Sequence, residues 1–172
     1  VAFDSIVSLK KGSNIPKGNR NPEGNYPYYG SNGISGYVDK YNFDAKSILL
    51  GDQGSQWFNS VKKCDNKFYA SNHTLVINPG EECIYNYIYL YLNFTNLKRF
   101  NKDSAMIPEI NIDKFKKHKI PLPSLEVQKQ IVDELSQIET SIETIESRIA
   151  QLKCEKDQYK KYGRKAEIRE LL

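Results

Sequence analysis

The sequence predicts an α+β protein. A globular mixed α/β domain, residues 1–123, precedes one long coiled-coil-forming helix, residues 124–162, and a short tail, residues 163–172. Short apolar runs separated by Gly, Asn and Pro clusters fill the first part, as in strands joined by turns. Ile120–Pro123 is typical of an extended hinge, because each proline disfavours the helical region for the residue before it. A long apolar repeat then follows the hinge.

The apolar residues of the predicted helix recur at alternating spacings of four and three, which is the repeat of a coiled-coil seam. The predicted dimer seam consists of Ile131, Leu135, Ile138, Ile142, Ile145, Ile149 and Leu152. Ser124 is the expected N-cap, and Gly163 is the expected C-cap. A helix between them would be roughly 55 Å long. A compact domain of this size does not need such a helix, so we expect it to pair with a partner helix.

The charge pattern of this helix predicts an antiparallel pair. Glu126–Glu146 carries six acids and one base, whereas Arg148–Lys165 carries seven bases and two acids. Antiparallel pairing places the acidic half beside the basic half. Each exposed ion pair contributes less than about 1 kcal/mol, but rows of like charges would add up against a parallel pair. A register that crosses between Ile142 and Ile145 also brings the apolar layers together.

Residues 1–123 contain several short elements bounded by turn residues. A helix is favoured after Ile84 because Ile84, Tyr87, Ile88 and Tyr91 share one helical face. The predicted strands are Tyr37–Val38, Ser47–Leu50, Phe68–Ala70 and Thr74–Ile77, and the predicted helices are Ile84–Leu97 and Ile112–Lys117.

Charge and cysteine usage limit the class of protein. The net charge of +4 is concentrated in residues 1–123, where 16 Lys and Arg face 11 Asp and Glu. An excess of positive charge on a globular domain favours polyanionic partners. The three cysteines form no CxxC pair, no signal peptide opens the chain, and no apolar run approaches the roughly 20 residues of a membrane span. We therefore expect a reduced cytoplasmic protein with no membrane partner.

Motifs for catalysis or for a bound cofactor are absent from the sequence. Gly51–Ser55 has glycines, but the chain lacks GxGxxG and GK[ST], so ordinary turn glycines explain this loop. Cys64, His73, Cys83 and His118 do not have paired metal-ligand spacing. No GxSxG motif occurs. We expect no metal, no cofactor and no catalytic residue, with the cysteines buried as structural side chains.

Basic pairs interleaved with amide, hydroxyl and aromatic side chains predict nucleic-acid binding. Lys and Arg contact phosphates, and Asn, Gln and Arg form bidentate hydrogen bonds with bases. Any single basic pair is more often a solvated surface feature, whereas the set together makes DNA binding and a solvated surface equally good explanations. The candidate contacts are Lys10, Lys11, Ser31, Asn32, Gln53, Ser55, Gln56, Trp57, Lys62, Lys63, Asn72 and Arg99.

The order of the motifs resembles a known family. The similar stretches are Gly24–Tyr37, Ile48–Ser55, Asn72–Ile77, Ser104–Asn111 and Lys119–Ile131. Together they resemble a target recognition domain and the helix that follows it in the specificity subunit of type I restriction-modification systems. The last stretch is the most specific of the five, and the resemblance covers about residues 20–160.

The resemblance implies a DNA reader rather than a catalyst. The family's usual subunit carries two recognition domains and two such helices, which pack antiparallel. This chain has one of each and therefore resembles a half-subunit, either a natural or an excised one. The implied partners are modification methyltransferase subunits and restriction subunits. Two copies, or this chain and a different half-subunit, would read a bipartite inverted-repeat site.

Two other functions remain open from the sequence alone. The globular part is also compatible with a protein-interaction adaptor, because Tyr-rich loops suit protein partners. An adaptor would show no salt-dependent affinity for duplex DNA. An enzyme with an unrecognised site would show turnover without added subunits.

Overall fold

The computed structural model describes residues 1–103 and 105–170, with side chains up to residue 160. The chain divides into two compact units. The first is Val1–Lys129, and the second begins at Gln130. The first unit contains both sheets and two short helices, which agrees with the predicted α+β class.

The first unit contains a four-stranded and a three-stranded sheet. The larger sheet has the order β1-β7-β4-β5 with antiparallel pairs throughout. The smaller has the order β3-β2-β6, in which β2 pairs antiparallel with β3 and parallel with β6. The strands are β1 Val7–Lys11, β2 Tyr26–Gly30, β3 Gly33–Val38, β4 Ser47–Gly51, β5 Lys62–Cys64, β6 Tyr69–Ala70 and β7 Thr74–Pro79.

The centre of the larger sheet forms the core. Every residue of β4 is buried, and Leu75–Ile77 of β7 is buried beside it. A continuous run of buried residues is what a strand covered on both faces requires, and it made these two strands predictable. Leu49 and Val76 belong to a cluster with Phe68 and Tyr29, which joins the two sheets.

All four predicted strands are present, but three others were not predicted. β1 and β5 have two lysines each, and both strands lie at edges of the larger sheet, where charged side chains face solvent. β2 falls in a stretch whose Gly, Asn and Pro residues indicated turns. Tyr28 and Tyr29 of this strand are instead buried, and the ring of Tyr28 stacks on that of Tyr69 with 5.6 Å between the ring centres.

Both short helices were predicted. α1 spans Tyr85–Phe94, and α2 spans Ile112–Lys117, which are its predicted bounds. α1 is shorter than predicted because Leu97 begins a separate 3-10 turn that ends at Phe100. The side chain of Asn111 caps α2 by accepting a hydrogen bond from the Lys114 backbone nitrogen, 3.0 Å away.

α3 spans Leu125–Glu170, 46 residues. It begins as predicted, since Ser124 Oγ accepts a hydrogen bond from the Val127 nitrogen at 3.4 Å. It does not end at Gly163, and this prediction is wrong because the helix continues to Glu170. One glycine costs a helix only about 1 kcal/mol, and no proline follows it to stop the helix. Leu171 and Leu172 of the expected tail lie outside the described residues.

Gln128 holds the first turn of α3 to the domain. Its side chain is fully buried. Its Oε1 accepts from the Ile84 nitrogen at 2.8 Å, which satisfies an N–H at the start of α1. Its Nε2 donates to the carbonyls of Glu82 at 3.0 Å and Pro123 at 2.9 Å. Both amide protons and the oxygen of this side chain therefore have partners.

Candidate nucleic-acid interface

Four strand ends meet at one edge of the larger sheet. Lys11 ends β1, Gly51 ends β4, Lys62 begins β5 and Thr74 begins β7. The antiparallel register brings these ends together, since Gly51 lies opposite Thr74 and Lys11 lies opposite Leu75. We call these four strand ends, with the loops that leave them, the polar edge. Most of the predicted DNA contacts lie on these loops or beside them.

A close backbone approach places the turn between β2 and β3 at the polar edge. Ser31 and Asn32 form this turn. A Cβ added at Gly51 would lie 2.0 Å from the Ser31 carbonyl oxygen and 2.7 Å from Ser60 Oγ. Ser60 Oγ accepts a hydrogen bond from the Gly51 nitrogen at 2.8 Å. Only glycine permits this approach, and it holds the predicted contact turn beside β4.

The turn and two lysines line one cavity of about 320 Å³. Asn32 of the turn and Lys62 and Lys63 of β5 are among its lining residues. These three residues were predicted as contacts from separate stretches of sequence, and the fold brings them together. Gly33, Ile34, Tyr29 and Tyr89 complete the lining.

Aromatic rings give this cavity defined walls. Lys63 Nζ lies 4.3 Å from the centre of the Tyr89 ring, so the lysine is held by a cation–π contact while its charge remains at the surface. Burial raises the pKa of Tyr29 to about 12, and its hydrogen bond with Cys64 adds to the increase. Tyr29 is therefore a neutral wall, and the lysines supply the charge of the cavity.

Asp52 lies directly after β4 and is buried at the polar edge. It is 1% exposed. Its Oδ2 lies 2.5 Å from Lys11 Nζ, and its Oδ1 lies 3.3 Å from His73 Nδ1. Lys11 and His73 remain 42% and 41% exposed at the side chain. The buried Asp52 carboxylate thus lies within 3.3 Å of a nitrogen atom of each of two half-exposed side chains, Lys11 and His73.

Other predicted contacts surround this carboxylate. Gln53 is partly buried and pairs with Glu109 through an isolated backbone bridge. Ser55 and Gln56 are exposed in the same loop. Asn72 precedes His73, and its Nδ2 lies 3.1 Å from His73 Nε2. These side chains are accessible, so their assignment as DNA contacts stays a prediction.

Trp57 was predicted to contact DNA, and this prediction is wrong. The side chain is 0% exposed, and its Nε1 donates to Asn101 Oδ1 at 2.9 Å. The indole has the largest apolar surface of any side chain, so burying it with its one N–H satisfied stabilises the fold. Trp57 supports the loop that carries Ser55 and Gln56.

Arg99 does not line the cavity that Asn32, Lys62 and Lys63 line, which we call the polar-edge cavity. It lines a cavity of about 600 Å³ with Phe100, Lys114, Lys117, His118 and Lys119. Burial is the main cause that lowers the pKa of His118, and the positive charge of Arg99 lowers it further, against the hydrogen bond with the Phe115 carbonyl. Lys10 is exposed on β1 opposite Val76.

The predicted seam of α3 is exposed within the single chain. Its later members, from Ile138 to Leu152, have exposed fractions of 45% to 58%. Ile131 and Leu135 are half-buried. A row of aliphatic side chains at this exposure is unfavourable in water and is typical of an interface without its partner.

Sequence reasoning missed Asp52, His73, Tyr89 and Gln128. Asp52 stood in the recognised Gly51–Ser55 loop, but a lone acid in a basic domain carries no signal of burial. His73 adjoins Asn72, which was predicted. Gln128 lay within the most specific stretch of the resemblance. A polar residue directly before an apolar repeat indicated that a helix begins there, but not that this side chain anchors the helix to the domain.

Among the described residues, no group of three or more His, Cys, Asp and Glu side chains is arranged to hold a metal ion. Cys64 and Cys83 are buried free thiols, whereas Cys154 is exposed. No helix in the described part of the chain is both long and apolar enough to cross a membrane.

The fold is that of the specificity-subunit recognition domain followed by a long helix. The crystal structure of a type I restriction-modification S subunit from M. genitalium aligns with a TM-score of 0.70 and 26% identity over 86% of this chain and 40% of that one. An HsdS subunit from Thermoanaerobacter tengcongensis aligns with a TM-score of 0.64 at 17% identity, over 84% of this chain and 38% of that one.

Residues 1–154 match the type I restriction modification DNA specificity domain, and the chain belongs to this family. A putative type I restriction enzyme specificity subunit of Haemophilus influenzae is 30% identical over 76% of this chain and 34% of its own length. The EcoprrI specificity subunit of Escherichia coli is 31% identical over 70% of this chain and 29% of its own length. The chain thus spans about a third of the curated relatives it matches.

Proposed function

We propose that this chain is the sequence-specific DNA-recognition subunit of a type I restriction-modification complex. It reads bases through the polar edge and performs no catalysis of its own. Modification methyltransferase subunits supply the methyl-transfer chemistry, restriction subunits supply cleavage, and the complex acts in the cytoplasm. Family membership supports this role, and the cavity between the Ser31–Asn32 turn and Lys62–Lys63 is the feature of this chain that supports direct contact with duplex DNA.

Two copies pair through α3 in an antiparallel coiled coil. The exposed aliphatic seam carries this part of the proposal, since its side chains from Ile138 to Leu152 are 45% to 58% exposed within one chain. Full burial of an aliphatic side chain contributes roughly 1.5–3 kcal/mol, so seven per helix supply ample driving force. The acidic first half and basic second half favour the antiparallel form.

A twofold dimer would read an inverted repeat. Each recognition domain would contact one half-site, and the pair of helices would set a fixed spacer between the half-sites. A different half-subunit with a complementary seam would fill the same role as a second copy and would give two unrelated half-sites instead.

Mass and DNA binding together test the proposal. Light scattering at low and high salt should give twice 19.8 kDa in both conditions, because an apolar seam is insensitive to salt. Duplex DNA should bind with an affinity that falls steeply as salt rises. A protein that binds no duplex DNA, with or without methyltransferase subunits, would contradict the reading role and favour a protein-interaction adaptor.

A monomer that binds DNA would contradict the homodimer alone. The chain would then depend on a different half-subunit to complete its site. Turnover by the isolated chain would contradict the non-catalytic role.

A further inference from the structure

We propose that Asp52 is a positioning residue for base reading: its buried carboxylate orients His73, and His73 orients the Asn72 amide to recognise adenine. The proposal rests on the DNA-reading function of the polar edge and names one base contact within it. Asp52 itself contacts no DNA, since it is 1% exposed.

The carboxylate is held in one position. The Asp52 nitrogen donates to the His73 carbonyl at 3.2 Å, and the Asp52 carbonyl accepts from the Ile110 nitrogen at 2.8 Å. Oδ2 is paired with Lys11 at 2.5 Å. Oδ1 is buried and, among the described residues, has no hydrogen bond of good geometry. A buried carboxylate oxygen without a hydrogen bond is costly, so it favours any donor that can turn toward it.

His73 Nδ1 is placed to be that donor. It lies 3.3 Å from Asp52 Oδ1, within reach but not aligned. The other ring nitrogen, Nε2, lies 3.1 Å from Asn72 Nδ2. An amide nitrogen only donates, so Nε2 accepts and the ring proton resides on Nδ1, which faces the carboxylate.

The loop that carries these side chains is fixed by its own hydrogen bonds. Ser71 is 3% exposed, and its Oγ accepts from the His73 nitrogen at 3.1 Å. The Thr74 nitrogen donates to the Ser71 carbonyl at 3.1 Å. The backbone of Asn72 is therefore held between two anchored neighbours at the start of β7.

The amide of Asn72 is left with one N–H and its carbonyl oxygen. Nδ2 uses one of its two N–H groups to donate a hydrogen bond to His73 Nε2. The remaining N–H and Oδ1 are the pair that an asparagine uses for adenine, donating to N7 and accepting from the N6 amino group in the major groove. Without His73 the amide could turn over and present these groups in the opposite order.

Asp52 also restrains Lys11. Removing the carboxylate charge would release this lysine, which is 42% exposed, for contact with a phosphate. Asp52→Asn should therefore weaken base discrimination while it preserves or strengthens binding to non-specific DNA and steepens the salt dependence by about one phosphate contact. A purely structural role would weaken both kinds of binding together.

The test starts from a site selected out of random duplex DNA by the full chain with the methyltransferase subunits of its system. Asn72→Ala should lower the preference for adenine at one base pair by about tenfold to a hundredfold. Asp52→Asn and His73→Phe should lower the preference at that same base pair. Either change should add nothing further in the Asn72→Ala background, because all three act through one amide.

Controls separate the possible failures. Asp44→Asn removes one carboxylate that pairs with Lys67 at 3.4 Å and should leave discrimination unchanged. If Asp52→Asn fails to fold in a thermal melt, His73→Phe decides, since that side chain is 41% exposed. A wild-type protein that selects no sequence would contradict the reading function. Sequence selection that Asn72→Ala lowers, but that His73→Phe leaves intact, would overturn this inference alone.

Discussion

The two units of this molecule differ in where their stabilising contacts come from. In Val1–Lys129, the apolar side chains of β4 and β7 are buried against each other, and a buried polar residue such as Gln128 has all of its partners within the unit. Beyond Gln130, the aliphatic row from Ile138 to Leu152 stays about half exposed. The first unit buries its apolar side chains within itself, whereas the described part of the helix leaves this aliphatic row about half exposed.

The candidate base contacts and the proposed seam share no residue. The proposed function therefore predicts that a substitution in one leaves the role of the other intact.

Ile142→Glu combined with Ile145→Glu should abolish self-association. The pair removes four aliphatic side chains from the dimer, about 6 kcal/mol or more, and places four carboxylates near the crossing point. Light scattering at micromolar concentration should show a monomer. The control is Ser147→Glu, which adds an acid on the outer face of the same helix and should leave the dimer intact. A dimer that survives the double change would contradict the predicted seam.

Gln128→Leu should destabilise the first unit without affecting the seam. It leaves the Ile84 nitrogen and the carbonyls of Glu82 and Pro123 without their partner, at a cost of about 3 kcal/mol. Urea unfolding monitored by tryptophan fluorescence measures this change, because Trp57 reports on the first unit. Gln137→Leu is the matched control, since Gln137 is exposed on α3. Equal stability of the two variants would contradict the anchoring role.

Replacing Lys62 and Lys63 with Ala should weaken DNA binding evenly across sequences. Two phosphate contacts would be lost, so the slope of log affinity against log salt should fall by about 1.8. The matched control replaces Lys46 and Lys67, which pair with Asp65 and Asp44 and line no part of the polar-edge cavity. An unchanged salt slope in the Lys62 and Lys63 variant would contradict its assignment.

His118 should make the first unit less stable below neutral pH. Burial lowers the pKa of its imidazole in the folded state below the usual 6.5. The unfolded chain therefore binds a proton that the folded chain does not. The stability contributed by the neutral His118 imidazole is fully present above about pH 6.5. It falls as the pH drops below that value, by at most about 1.4 kcal/mol per pH unit.

The free energy of unfolding measured between pH 7.5 and 5 checks this dependence on His118. His118→Gln should flatten the dependence. An identical pH dependence in the wild type and in His118→Gln would contradict the assignment.

Elements with a strong local pattern were predictable from the sequence. Ile112–Lys117 begins after a capping Asn and ends where predicted, and the apolar runs of β4 and β7 mark buried strands by themselves. The helix α3 was predictable because its apolar repeat is long. In each case the signal lies within a few neighbouring residues.

The remaining features depend on residues that are distant in sequence. β2 pairs in parallel with β6, about 40 residues later, and a Tyr-Pro-Tyr-Tyr-Gly stretch carries no sign of that partner. Trp57 lies in a polar loop and was predicted to contact DNA, but its N–H donates to Asn101, 44 residues later in the chain. The buried Asp52 carboxylate pairs with Lys11 and His73, which come from different strand ends. The polar edge was predicted in its residue types but not in its arrangement.

Selection from random duplex DNA by the wild-type protein with its methyltransferase subunits tests whether two copies of this chain read DNA as a twofold pair. We expect an enriched inverted repeat with a spacer of one fixed length. Each half-site should lose affinity equally when it is altered, because one domain sequence reads both. Two unrelated half-sites, a direct repeat, or no enriched sequence would contradict the twofold reader proposed for this chain.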